Sequence, residues 1–170
     1  MKLQATLLAS LAVAMPAAAI AAPGGSAATP GASEARIVEP LALQPLYDLR
    51  FGTFIQPTTA GTVTVASNST VSTTGGLDPA IFPTGRGASG FLVHGTANRQ
   101  FVTFLPTTAT VSNGTATMTI DNFRKNGGSG ANRLDLNGYF VLHVGGRLTV
   151  NANQAPGNYS GTFTVSVLYN

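Results

Sequence analysis

From Tyr159 to the last residue the chain alternates strictly. Odd positions read Tyr159, Gly161, Phe163, Val165, Val167 and Tyr169; the even ones read Ser160, Thr162, Thr164, Ser166, Leu168 and Asn170. One parity is apolar and the other mostly hydroxyl-bearing, the pattern of a half-buried β-strand. The sequence ends one residue after an aromatic, so this strand has no following hairpin partner for its far edge unless an earlier segment folds beside it. Exposed edges invite pairing with another chain. The expectation is a chain that either covers that edge or uses it.

At the other end, Lys2 precedes an apolar run from Leu3 to Ile20 that Pro16 interrupts, and Ala19-Ile20-Ala21 offers a small-x-small cleavage pattern. This predicts a secretory signal peptide over residues 1–21 rather than a membrane span, because the strongly apolar core is short and no charged residue follows closely. No second run is long enough to span a bilayer. The expected location is therefore outside the cytoplasm, from the periplasm to the cell surface or beyond.

About 150 residues then remain, enough for one domain with a real core. Charged residues make up only 9% of the chain, against about 25% in an ordinary globular domain. The sequence pI of 9.7 misleads. It reflects nine basic against six acidic residues, and Lys2 departs with the signal. The other basic residues are scattered, with only Arg124 and Lys125 adjacent. Nucleic-acid binding needs a clustered basic face, which excludes that class. With no cysteine, disulfide staples, thiolate–zinc sites and thiol catalysis are excluded together.

Residues 22–35 are small residues, Pro and Gly, too poor in large apolar groups to pack, and read as a flexible tail. A single β-sandwich domain is expected over 36–170. Ile37, Leu41 and Leu43 share one parity, with Pro40 and Pro45 on or beside the run, which restricts it to an edge or bulged strand. Tyr47, Leu49, Phe51, Phe54 and Ile55 follow. Short strand-like runs come next at 61–66, 90–94, 100–105 and 115–123, bounded by Gly, Pro, Asn and Ser clusters. Closely spaced short strands without helical periodicity argue a β-sandwich. Residues 73–88 and 125–132 read as loops by composition.

Residues 139–151 pose a choice. A hairpin turn at Gly145-Gly146 would mix apolar and polar residues on each face. A strand running straight through keeps Phe140, Leu142, Val144, Leu148 and Val150 together, so one long strand with a bend at the glycines is expected. A turn at 153–157 would then lead into the terminal strand as a long final hairpin. Phe140, Leu142, Val144, Phe163, Val165 and Val167 are the expected interior.

The search for chemistry returns mostly structural readings. Residues 85–90 match G-x-G-x-x-G, but a dinucleotide loop must follow a strand, open a helix and precede an acid by about 20 residues. None of these holds here, and a surface loop is the better reading. His94 and His143 fall on the outer faces of their strands, where a solvated histidine is the default. Asp121-Asn122 and Asp135-Leu136-Asn137-Gly138 offer oxygens to calcium but lack a closing bidentate glutamate, which favours turns whose Asx side chains bond their own backbone. No nucleophile elbow or acid–base pair is visible. A catalytic site, a metal and a cofactor are all unexpected, and the expectation is a protein that is not an enzyme.

The stretches Leu49-Arg50-Phe51-Gly52, Gly61-Thr62-Val63-Thr64-Val65, Val144-Gly145-Gly146-Arg147-Leu148-Thr149-Val150 and the run from Gly157 to Tyr169 resemble a family of small exported bacterial proteins catalogued as a domain of unknown function. More distantly, the chain is similar to spore-coat-U-type and other chaperone–usher pilin subunits. Their last strand alternates apolar residues after a Gly and carries a penultimate aromatic, as Gly161, Phe163, Val165, Val167 and Tyr169 do. That resemblance implies an immunoglobulin-like, pilin-like sandwich. A periplasmic chaperone would hold its groove open, and the N-terminal extension of the next subunit would then fill it. The terminal strand (Tyr159, Gly161, Phe163, Val165, Val167, Tyr169) would be the pairing strand for subunit and chaperone, and Ile37, Leu41 and Leu43 the donor segment. Partners would be copies of the chain or related subunits, with a chaperone and an outer-membrane usher. The chain departs from many pilins in lacking a disulfide and in carrying prolines beside the donor run. The competing expectation is a self-complete surface or matrix binding module in which 36–43 serves as a strand of its own domain.

Overall fold

One strand organises the domain. The computed structural model describes residues 34–78, 80 and 84–170. The expected signal peptide and the tail through Ser33 lie outside these. Ile37–Asn170 form one compact unit. The described strands, in chain order, are β1 (Ala42–Tyr47), β2 (Arg50–Phe51), β3 (Gly61–Val65), β4 (Val71–Thr73), β5 (Arg86–Gly87), β6 (Ser89–His94), β7 (Gln100–Phe104), β8 (Thr108–Ser112), β9 (Thr117–Lys125), β10 (Asn132–Arg133), β11 (Tyr139–Val150) and β12 (Ser166–Tyr169).

The central strand β11 runs unbroken through Gly145-Gly146, as its parity requires. Leu142, Val144, Leu148 and Val150 are buried, and Phe140 packs against them. Along one edge its first half pairs with β6 (Val144 opposite Ser89) and its second half with β3 (Leu148 opposite Val63). β9 takes the other edge (Val144 opposite Lys125, Leu148 opposite Ile120). A Cβ on Gly145 would collide with the Val65 carbonyl oxygen, so glycine permits the close approach where β6 gives way to β3.

β1 extends this sheet beyond β6, β4 beyond β3, and β8 beyond β9. A second sheet carries β10, β7 and β12 in that order, and β2 pairs with β5. All pairings are antiparallel. The result is the expected all-β, sandwich-like architecture, with a curled main sheet. Val63, Val93, Phe101, Leu134, Leu142 and Val144 lie fully buried inside it. Among the described residues no helix is long and apolar enough to cross a membrane.

Several strand features follow from local chemistry. β1 lies at a sheet edge and is bulged between Pro45 and Tyr47, as its prolines demand, since proline cannot donate to a ladder. β9 slips by one residue against β11 between Gly145 and Arg147, at Asn122, whose φ is 48°. That bulge turns Phe123 inward beside Met118 and Ile120 although their parities differ.

Three expectations are corrected. The final hairpin does not form: β12 pairs with β7, Val167 standing opposite Thr103. Alternation fixes which side chains face inward but carries no information about the neighbouring strand. Residues 86–90 are not surface loop. They enter β5 and β6, and Gly87, Ala88, Ser89 and Gly90 are buried, with Tyr47 covering Gly90 so closely that a Cβ would strike its ring. β4 begins at Val71 and takes Thr73 from the expected loop by pairing it with Val63.

Candidate functional site

The terminal segment crosses from one sheet to the other. Ser160 exchanges backbone hydrogen bonds with Ser112 at the free edge of β8 (2.9 and 3.0 Å), and Gly161 lies against the Thr110 carbonyl, where a side chain would collide. Six residues later the same segment becomes β12 on the edge of β7. Between these anchors, residues 161–165 belong to no strand pair among the described residues. Their side chains keep the sequence parity. Phe163 and Val165 are half-buried on the core, Gly161, Thr162 and Thr164 exposed. Phe163 meets Phe91 edge-on, with centroids 6.3 Å apart, and lies 5.0 Å from Phe123.

Across from this segment runs the chain that follows β1. From Tyr47 to Pro57 it makes little regular structure beyond β2, and it packs Leu49, Phe51 and Phe54 toward the core. The Arg86 guanidinium sits 4.8 Å over the Phe54 ring. Gly52, at φ +88°, leaves room for the Arg86 side chain.

Between the two walls lies an open groove of about 940 Å³, whose floor includes Phe91, Val111, Met118, Ile120, Leu148 and Val150. One end is tied: Asn153 N–H donates to Pro57 O (2.7 Å) and the Gln56 amide to Gln154 O (3.1 Å). There Gln154 also donates to the Tyr159 hydroxyl (2.9 Å), which donates to Ala155 O (2.6 Å). An apolar trough flanked by an unpaired edge can accept an extended peptide. For such a peptide the backbone of 161–165 is open to hydrogen bonds, and the floor offers apolar contacts to alternate side chains.

The sequence-selected residues distribute as follows. Tyr159, Phe163, Val165, Val167 and Tyr169 all pack against the core, and Gly161 is exposed over β8. Of the donor segment, Leu41 and Leu43 pack on their own domain, with Leu43 opposite Val93 in β1, whereas Ile37 is 97% exposed.

His94 and His143 lie on the outer face. The His94 ring lies tilted beside that of Tyr139, centroids 6.2 Å apart, and the His143 Nδ1 lies 3.0 Å from the Tyr47 hydroxyl. Asp135 forms the expected Asx turn, its Oδ1 accepting from the Asn137 and Tyr139 amides at 2.8 Å. Asp121 is engaged in a bidentate pair with Arg147 (2.8 Å each), which holds its carboxyl below the usual value of 3.8. Lys125 reaches Gly130 O (3.0 Å) and the Asn132 side chain, and its partial burial lowers its pKa. These groups are dispersed over the domain. Among the described residues no three His, Asp or Glu converge as metal ligands.

Sequence reasoning missed the groove wall at 48–57, where the pattern Leu49, Phe51, Phe54, Ile55 reads as an ordinary strand. Gly52 at positive φ was the available signal of a departure from it. Reasoning from sequence also missed Thr96, whose N–H donates to the Tyr169 hydroxyl at 2.8 Å, and nothing in the surrounding residues marks it.

No curated protein and no solved structure matches the chain. Residues 41–169 match the sequence model of a family described as a domain of unknown function, DUF4402. The match takes in every strand from β1 to β12, both groove walls and the terminal aromatic, and the chain belongs to the DUF4402 family.

Proposed function

We propose that this protein is an exported, non-enzymatic structural subunit of a cell-surface fibre, assembled by β-strand addition. The observation that carries this is the unpaired edge of 161–165 beside an apolar groove. The occupant is the N-terminal extension of a second copy, the chain that precedes β1. Residues 22–35 are too poor in large apolar groups to form a core of their own, and Ile37 stands exposed where that extension meets the domain. Strand addition supplies main-chain hydrogen bonds between the extension and the 161–165 edge. A periplasmic chaperone and an outer-membrane usher are the partners such assembly calls for, in keeping with the resemblance to pilin subunits. Purified protein run on a denaturing gel without boiling tests the reading. A ladder of detergent-resistant multimers that collapses on boiling is the expected result, and a single monomer band at every concentration contradicts it.

One observation favours a second reading, a self-complete binding module of the envelope or matrix. Leu41 and Leu43 already pack on their own core, and Leu43 pairs within the same chain. That reading expects a stable monomer that loses its fold when 36–43 is removed.

A further inference from the structure

The outer face of the main sheet changes character halfway along β11. Around its second half, Arg147 stands between Thr64 and Asp121, and Thr149 between Thr62 and Thr119. Hydroxyls and one ion pair fill that half, as a water-facing sheet surface requires. Around the first half, Tyr139 stands opposite His94, Val141 opposite Leu92 and His143 opposite Gly90. β1 adds Gln44 beside Leu92 and Tyr47 beside Gly90. These rows hold no Asp, Glu, Lys or Arg, and Tyr47, Tyr139 and Val141 are exposed. Single apolar residues on a surface need no account, but a contiguous apolar area marks a place of contact.

The Tyr47 ring is laid flat on this face. A Cβ on Gly90 would lie 2.3, 2.5 and 2.7 Å from three ring carbons, nearer to them than to the hydroxyl oxygen. The glycine therefore meets the face of the ring, and the opposite face is left to solvent. The Tyr47 hydroxyl lies 3.0 Å from the His143 Nδ1, with ring centroids 6.0 Å apart. Two contacts thus fix the ring before anything binds, which limits the entropy lost on binding. Four residues along β11, about 13 Å at the rise of a strand, Tyr139 lies beside His94. Val141 and Leu92 bridge the two aromatic pairs.

We infer that this face binds a neutral, extended chain of β-linked pyranose sugars. A pyranose has a C–H face that stacks on an aromatic ring and a rim of hydroxyls. The rows offer the complement: a flat ring with one free face, an apolar stretch beyond it, and the polar tips of Tyr, His and Gln around them. The lack of formal charge decides the class. An acidic glycan would meet no cation in these rows, and a basic peptide no carboxylate. The aromatic pairs stand farther apart than the width of one sugar ring, so an oligomer engages both where a monosaccharide engages one. The groove lies on the inner face and shares only Tyr47 with these rows, so glycan binding here does not depend on what fills the groove.

The test titrates the full chain with a hexamer of β-1,4-linked glucose and, separately, with a hexamer of galacturonic acid, which carries a carboxylate on every ring. The chain has four tyrosines and no tryptophan, so tyrosine fluorescence reads the contact, with calorimetry beside it. The glucose hexamer should bind and the acidic one should not. Tyr47→Ala and Tyr139→Ala should each weaken binding about tenfold, the effect of losing one stacked ring. Tyr47→Phe keeps the platform and should lose less. Thr149→Ala, on the hydroxyl-bearing half, should leave binding unchanged. Tyr139→Ala decides alone if Tyr47→Ala does not fold. No binding of the glucose hexamer at millimolar concentration overturns the inference, as does binding that survives both tyrosine variants. Equal or tighter binding of the acidic hexamer overturns the neutral class. A wild type that binds no sugar and sediments as a dimer, with Tyr139→Ala a monomer, makes this face a contact between copies and overturns the inference as well.

Discussion

Gly145 passes so close to Val65 that a methyl group on its Cα would overlap the Val65 carbonyl oxygen. That contact lets one strand carry two partners in succession, β6 and then β3, along the same edge.

Gly145→Ala should therefore push β3 away and cost about 1–3 kcal/mol, the usual penalty of overpacking. Gly130→Ala is the control, since open space surrounds that position, and it should stay within about 0.5 kcal/mol of wild type. Urea unfolding of both variants checks this. Equal midpoints would show that the close approach contributes nothing to stability.

The parity of the terminal segment can be tested in the same way. Val165→Asp places a charge against the core and should cost several kcal/mol, on the order of the whole stability of a small domain. Thr164→Asp, one residue away on the exposed face, should change stability by about 0.5 kcal/mol or less. Melting curves within a few degrees of each other for the two variants would contradict the assigned faces.

How much of this was legible in the sequence depends on what each residue pattern encodes. Alternation over 139–150 and 159–169 gave faces, and those faces hold, because burial is a property of one strand. Pairing is a property of two, and nothing in Val165 or Val167 distinguishes β7 from β11 as a neighbour. β8 escaped notice because Thr108-Ala109-Thr110-Val111-Ser112 carries only two small apolar residues, and it is a strand through its ladder with β9. Gly87 and Ala88 read as loop by composition, yet both are buried, and at Gly90 the lack of a side chain is what allows Tyr47 to lie against the strand. The groove exists because the terminal segment leaves β8 before it joins β7, a matter of spatial path. The alternating Leu41 and Leu43 announced a strand without saying whose sheet it joins.

The two histidines are expected to be replaceable. The double variant His94→Ala, His143→Ala loses the exposed bond to Tyr47, worth about 1 kcal/mol or less. It should be secreted and should melt within a few degrees of wild type. Elemental analysis should find no stoichiometric metal in either protein. One zinc or calcium per chain, lost in the variant, would give these residues a ligand role.

Acid should reach the Asp121–Arg147 pair in a defined direction. Arg147 holds the Asp121 pKa below its ordinary 3.8, so the folded state binds this proton less readily than the unfolded one. The contribution is complete above pH 3.8 and is lost as the pH falls through the depressed value. Both side chains are substantially exposed, at 42% and 30%, so solvent screening keeps it small. Asp121→Asn should match wild type closely in shape of melting at neutral pH and show a shallower loss of stability below pH 4. An identical acid limb in the two proteins would mean the pair does not persist in solution.

The central claim is that the groove beside 161–165 receives the extension of another copy. Its most direct test compares the full chain with a variant lacking residues 22–36, which leaves β1 and the hydrogen bond from the Tyr169 hydroxyl to Glu39 O in place. Both are run unboiled and boiled on a denaturing gel across a range of protein concentrations. The account predicts a boiling-sensitive ladder for the full chain and only monomer for the deletion, with both folded. A full-length protein that remains monomeric at the highest concentration, or a deletion variant that still forms the ladder, would contradict it.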